Sequence, residues 1–376
     1  MTFVDEIVAP DGRLEARVES RLADYFDTQR LRAKRLSTSS PALAQFEPLW
    51  VHAAESARGG KKLRPALVLG AYRALLTAPG ASIRDGSACD DEPATEESAI
   101  SVATAFELLH TAFLLHDDVI DGDTVRRGRP NLIGRFAQQA RDLGADQAAS
   151  TRWGEACAVL AGDLLIHGAQ TMVDRAGLSE GMRVAIQEVL DDALFVTAAG
   201  EQGDVGLAVG VVEPELQNVL GITRAKTAYY SFSDPLRVAG ILANADDEAI
   251  AALQRIGSLI GAAFQLRDDV LGVFGDEDVT GKSSTGDLRN GKVTALVAFA
   301  ASGSAASGSA DGQGWAQMPA QDARAELQRS GALDAVERLI QQHRAEASAV
   351  LHDARLPEAT KELLSDFLSR ATERDS

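Results

Sequence analysis

Cysteine is nearly missing from these 376 residues, with Cys89 and Cys157 the only two. Two thiols exclude a disulfide framework or a cysteine-rich zinc site, and they suit a reducing compartment. Aromatic residues are scarce, at 5%. With Ala and Leu abundant, that scarcity favours helices over strands. Basic charge is in deficit: 37 Lys and Arg stand against 55 Asp and Glu, a net charge of -18. This argues against a nucleic-acid partner or a general anionic-membrane surface, while leaving room for a local anion site. No uninterrupted apolar run reaches the length of a membrane span. The opening Met1-Thr2-Phe3-Val4-Asp5-Glu6 lacks the basic-then-apolar order of a signal peptide. The expectation is a cytoplasmic protein with no membrane span.

What is present reads as helix after helix. Leu14, Val18, Leu22 and Phe26 fall at helical spacing within residues 12–35. Ser40-Pro41 marks a cap and first-turn proline for a second helix to about residue 57. A long apolar helix is expected from Glu96 into the aspartates at 117–121, and two more at 149–175 and 180–200. Gly200-Glu201-Gln202-Gly203-Asp204 reads as a helix break or kink. Two amphipathic helices close the chain, marked by Leu333, Val336 and Ile340, then by Leu363, Leu364 and Phe367. No strand-and-turn alternation appears. Two polar stretches, 78–97 and 302–320, read as flexible surface insertions, and Trp315 and Met318 stand unexplained in the second. The whole is expected to be one domain, 1–376.

Four stretches carry chemistry. In Phe113-Leu114-Leu115-His116-Asp117-Asp118-Val119-Ile120-Asp121, the carboxylates of Asp117 and Asp121 lie four residues apart and share a helix face. Bare, they repel by a few tenths of a kcal/mol. A divalent cation turns that into attraction, and oxygen-only ligands favour a hard ion such as Mg²⁺. Arg126-Arg127-Gly128 follows at once, a concentration of anion-binding donors. Gly59-Gly60-Lys61-Lys62-Leu63-Arg64-Pro65 joins permissive glycines to Lys61 and Arg64 at a helix start, which suits a diphosphate. Lys226-Thr227 sits in an apolar helix, as a snorkelling lysine or as a cation aimed at a phosphate. Phe264-Gln265-Leu266-Arg267-Asp268-Asp269 repeats the design of an apolar helix ending in paired aspartates, and Gly281-Lys282 follows in a Gly- and Lys-bearing loop. His110, seven residues before Asp117, is a core histidine or a donor to a phosphate.

Taken in order, these motifs resemble the trans-isoprenyl diphosphate synthases, the polyprenyl synthetase family. They are GGKxLRP at 59–65, ELLH at 107–110, DDxxD at 117–121, RRG at 126–128, KT at 226–227 and FQxxDD at 264–269. Within that family the chain is most like the bacterial geranylgeranyl diphosphate synthases. The resemblance implies an all-α bundle around a central cavity (the isoprenoid synthase fold), a homodimer, and condensation of isopentenyl diphosphate with an allylic diphosphate. It implies Mg²⁺, more than one ion, on Asp117, Asp121 and Asp268, with Asp118 and Asp269 beside them. Lys61, Arg64, His110 and Arg127 resemble the isopentenyl diphosphate site. Arg126, Lys226 and Lys282 resemble the clamp on the allylic diphosphate, and Thr227 and Gln265 flank the developing cation. Ala112 and Phe113 stand where the family sets chain length. The expected product is C20, with farnesyl or longer chains as alternatives. One departure is Gly272, where the second motif usually ends in aspartate; it is the sole support for a rival reading as a non-catalytic regulatory subunit.

Overall fold

The structure is a computed structural model that describes residues 12–60, 62–77, 92–275, 292–303, 315 and 317–373. It is all-α apart from one two-residue hairpin. The chain divides into two compact units, Met1–Leu69 with Ala94–Gln187, and Gly70–Pro93 with Glu188–Ser376.

In the first unit, α1 (Gly12–Ser39) buries Val18, Leu22, Phe26 and Ala33, the expected stripe. The second helix starts later than the Ser40-Pro41 signal suggests. Pro41–Leu43 forms only a 3₁₀ turn, and α2 runs Phe46–Ala57. Ser40 makes no side-chain cap there, so the proline sets the turn alone. α3 (Leu63–Leu76) begins in this unit. α4 (Glu96–Ile120) is buried on nearly every side from Ser98 to Asp118, as an all-round apolar helix must be. Thr95 caps it by accepting from the Ser98 N–H at 3.2 Å. α5 (Leu132–Asp142) and α6 (Gln147–Asp174) are capped by Asn131 and Asp146. Glycines let α6 approach its neighbours closely. A Cβ on Gly154 would sit 2.5 Å from the Ile133 carbonyl, and one on Gly162 would meet the His116 ring at 2.2 Å.

α7 (Glu180–Ala208) runs straight through Gly200–Asp204, where the sequence reads as a break. The glycines there serve packing. A Cβ on Gly200 would lie 2.3 Å from the backbone nitrogen of Lys226, and one on Gly203 would lie 2.7 Å from Ile222. In the second unit, α8 (Leu216–Thr223) passes into a π-helix over Arg224–Ser233, followed by α9 (Asp234–Leu242) and α10 (Asp247–Phe274). The π-helix is pressed on a second side by α10, where Gly257 and Gly261 meet Phe232, Ser233 and Ala228. α11 (Ala295–Gly303), α12 (Ala320–Arg329), α13 (Ala332–Asp353) and α14 (Glu358–Thr372) complete the unit. Its core gathers Leu266, Val270, Leu296, Leu327, Val336 and Ile340. Trp315, unexplained within the 302–320 stretch, is 8% exposed and belongs to that core. Arg267 forks onto Glu337 at 2.6 and 2.8 Å and donates to the Thr372 carbonyl at 3.1 Å, pinning α10 to α13 and α14.

Among the described residues, three helices, α4, α6 and α10, are long and apolar enough by length and composition to cross a membrane. An interrupted apolar pattern qualifies where an uninterrupted run does not. In the most apolar window of α4, 83% of residues are buried inside the protein.

Candidate active site

The first aspartate motif lies at the C-terminal end of α4. A helix there presents unpaired carbonyls and the negative end of its dipole, so added carboxylates are disfavoured unless a cation is near. The chain ends the helix firmly all the same. Gly122, at φ +70°, follows Asp121, and the Asp123 and Gly122 N–H groups donate to the Asp118 and Val119 carbonyls at 2.9 and 3.3 Å. This is a Schellman ending, and its left-handed residue explains the glycine.

The three aspartates differ in environment. Asp118 is 2% exposed and accepts from Arg126 Nε at 2.9 Å and Nη2 at 2.5 Å. Burial raises its pKa above the ordinary carboxylate value, opposed by Arg126 and Asn131. Asp117 is half-buried, 3.5 Å from the same guanidinium, and Asp121 is exposed at the helix end. The structure therefore gives Asp118 the task of holding Arg126, and leaves Asp117 and Asp121 as the outward pair.

Arg126 starts a hairpin, Val125–Arg126 against Arg129–Pro130. Its turn residues, Arg127 at φ +52° and Gly128 at φ +70°, are both left-handed, as a type I′ turn requires. This hairpin is strand structure that the sequence reading did not include, and it explains the glycine of RRG. Asn131 latches its far end, donating to the Asp123 carbonyl at 2.7 Å and accepting from the Gly134 N–H at 2.9 Å. Arg127 lies over the glycines of GGKxLRP: a Cβ on Gly60 would be 2.9 Å from its Nη2. Both glycines have positive φ, +70° and +78°.

A cleft of about 540 Å³ opens beside the hairpin, lined by Arg58, Arg126, Arg127, Arg129, Arg135 and Asp118 among others. Among the described residues, Arg58 and Arg129 form no ion pair, and Arg127 donates to the Arg58 carbonyl at 3.3 Å. In a chain of net charge -18 this is a local positive field. His110 feels it. Burial first, then Arg64, Lys62, Arg126 and Arg127, hold its imidazole well below the usual 6.5, so it is neutral at pH 7. The first unit thus brings together Arg64, His110, Asp117, Asp118, Asp121, Arg126 and Arg127. Ala112 is fully buried and Phe113 half-buried on α4 just before the aspartates.

The reading of the GGKK pair missed one distinction. Lys62, at φ +41°, is buried and donates to the Ala57 carbonyl at 2.6 Å and to Glu107 at 3.1 Å. Lys62 and Glu107 of ELLH are therefore a buried structural pair. Lys61 and Lys282 lie outside the described residues, as does Asp276, one turn beyond Gly272. His116 plays a structural part: its Nε2 lies 3.3 Å from the Val159 carbonyl and 3.4 Å from Asp163 across the α4–α6 contact.

In the second unit, Lys226 is held by two carboxylates, Glu201 at 3.0 Å and Asp204 at 2.7 Å. The sequence had placed both acids in a helix break, so their partnership with Lys226 was missed. Their three-residue spacing on one helix face was the available signal. Thr227 follows on the π-helix. Gln265 and Asp268 are half-buried on α10, Asp269 is 5% exposed, and α10 continues through Gly272 to Phe274. Among the described residues, no three His, Cys, Asp or Glu side chains gather as an all-protein metal cage. Asp117 and Asp121 offer oxygen donors only, on one turn of helix, and this fits a hard ion that completes its shell with water and substrate oxygens.

A polyprenyl synthetase family model matches residues 51–313. A short chain isoprenyl diphosphate synthase of Methanothermobacter thermautotrophicus is 34% identical over 64% of this chain, and the chain spans 62% of that relative's length. A geranylgeranyl diphosphate synthase of Mycobacterium tuberculosis is 32% identical over 70% of this chain and 67% of its own. The crystal structure of a Corynebacterium glutamicum geranylgeranyl pyrophosphate synthase, complexed with isoprenyl diphosphate and magnesium, superposes with a TM-score of 0.80. It is 27% identical, over 96% of this chain and 99% of that one.

Proposed function

Because this chain belongs to the polyprenyl synthetase family, we propose that it is a trans-prenyltransferase that condenses isopentenyl diphosphate with an allylic diphosphate. The observation that carries the reading is the first unit's pairing of Asp117 and Asp121 with an arginine hairpin anchored on Asp118. Acid for a metal and base for diphosphate stand side by side, as a reaction with a diphosphate leaving group requires.

Asp117, Asp121 and Asp268 are the residues that would hold Mg²⁺, which when bound supplies Lewis-acid stabilisation of the departing diphosphate. Arg64, Arg127 and neutral His110, with Lys61, bind isopentenyl diphosphate. Arg126 and Lys226, with Lys282, bind the allylic diphosphate. The allylic C–O bond breaks, the isopentenyl double bond attacks the resulting carbocation, and a proton leaves the adduct, with released diphosphate as the base. Thr227 and Gln265 flank the cation, and apolar walls keep water away from it. Ala112 and Phe113 limit the chain, and the product we favour is geranylgeranyl diphosphate, C20, with farnesyl or longer chains as alternatives. The protein acts in the cytoplasm as a homodimer. An exposed apolar stripe on α6, with Trp153, Val159 and Leu160, supports that assembly. Gly272 alone favours a non-catalytic regulatory subunit.

The test is product analysis with isopentenyl diphosphate and C5, C10 and C15 primers, with Mg²⁺ or with chelator. A Mg²⁺-dependent product of defined length is expected, and Asp117→Ala should lose turnover by at least about 100-fold with unchanged helicity. Folded wild-type protein that makes no product with any primer would move the reading to the regulatory subunit.

A further inference from the structure

The second unit contains a cleft of about 560 Å³, lined by the π-helix, α10 and α13, in which Gln265 is the one lining residue with a part in the proposed reaction. Its size falls within the roughly 300–1,000 Å³ typical of small-molecule sites. Leu220, Ala228, Leu259, Ala262 and Leu266 make its walls mainly apolar. Its ionisable groups are Arg224, Arg255, His343 and Glu346. Among the described residues neither arginine has a carboxylate partner. Arg224 lies 5.4 Å from the Tyr229 ring centroid, which orients the guanidinium without neutralising it. Both arginines are exposed, so they stand where the cleft meets solvent. Among the described residues, His343 Nδ1 is buried and has no hydrogen-bond partner, an unusual state for a polar atom. Burial lowers the His343 pKa, Glu346 opposes this and Arg224 adds to it, so the ring is neutral and able to hydrogen-bond a ligand. Glu346 already accepts from Gln342 at 3.1 Å. A π-helical wall is a further pointer, since such turns concentrate at functional sites.

We propose that this cleft binds an amphiphile with a small anionic head and a linear hydrocarbon tail. The head sits on Arg224 and Arg255, and the tail lies along Leu259, Ala262 and Leu266. Gln265 also lines the cleft, so an occupant touches a residue of the candidate catalytic set and changes turnover. That consequence for turnover rests on the synthase reading; the binding itself does not. A fatty acid and a prenyl diphosphate share this chemistry.

Equilibrium dialysis of the full chain with radiolabelled hexadecanoate and, separately, labelled C20 prenyl diphosphate tests the site. Arg255→Glu removes a head-group contact on the exposed surface, and Ser258→Trp fills the cleft. Each variant should weaken binding of at least one probe by about tenfold or more, the loss of one charge-assisted contact. Condensation without amphiphile should stay unchanged in Arg255→Glu. Displacement of bound hexadecanoate by the prenyl diphosphate assigns the site to isoprenoids, and retention of hexadecanoate assigns it to fatty acyl chains. If neither probe binds, or if binding is the same in both folded variants, the proposal is wrong. Wild-type protein that binds amphiphile through Arg255 but makes no condensation product would leave the cleft standing and remove the synthase reading instead.

Discussion

Asp117 and Asp118 are adjacent in sequence and chemically identical, yet one is half-exposed and the other clamps an arginine. The DDxxD spacing identified Asp117 and Asp121 as a pair because four residues make one helical turn. It carried nothing about Asp118, whose partner Arg126 arrives through a left-handed turn that only the fold brings back. The same limit applied to Lys62, whose positive φ and burial composition does not reveal. Asp234 was also silent in the sequence. It is 2% exposed, and its Oδ2 has no hydrogen-bond partner among the described residues. Burial raises its pKa to about 7, against an opposing pull from Arg237. A carboxyl whose folded pKa exceeds its unfolded one adds stability that is full below about pH 4 and disappears as pH rises through about 7. Asp234→Asn should therefore raise stability at pH 8 by roughly 4 kcal/mol, seen as a higher thermal midpoint, and change it little at pH 4. Denaturation of both proteins at the two pH values decides it, and an equal shift at each would refute the buried-acid account.

Helices were legible in this chain because apolar residues recur at three and four, and most predicted spans agree with the structure within a few residues. The failures share a cause. Glycine reads locally as a breaker, but at Gly200 and Gly203 it marks a place where another backbone passes close. Periodicity likewise sees a helix around Lys226 and Thr227 but cannot tell i→i+5 bonding from i→i+4. Gly200→Ala tests the contact. Its methyl would overlap the Lys226 backbone, where no flexible side-chain end can yield. A loss of roughly 1–3 kcal/mol is expected from overpacking, read as a lower denaturant midpoint at unchanged slope. A Gly→Ala gain, as in an ordinary helix interior, would mean that α7 and the π-helix are less tightly apposed.

At the scale of the whole molecule, motif order indicated the family, although no single motif does so. Each aspartate motif is at home in its own compact unit, with Asp117 in one and Asp268 in the other. Subunit assembly was inferred from the family resemblance, and α6 supplies it with a testable surface. Leu160 is 56% exposed beside Trp153 and Val159. Leu160→Glu should convert a dimer to a species near 39.7 kDa in sedimentation. A dimer that persists would put the interface elsewhere.

The ten-residue π-helix has one more implication, concerning phase. Each residue of an α-helix advances the side chains by about 100°. A wider turn absorbs an extra residue without displacing the helices on either side. Deleting one residue between Arg224 and Ser233 while the close contacts at Gly200, Gly257 and Gly261 hold the turns wide would rotate the two flanks by roughly 100° against each other. Either Lys226 would leave Glu201 and Asp204, or α9 would turn its buried face outward. Substitutions in this stretch are therefore a gentler change than a single-codon deletion, and the number of residues here is constrained as tightly as their identity.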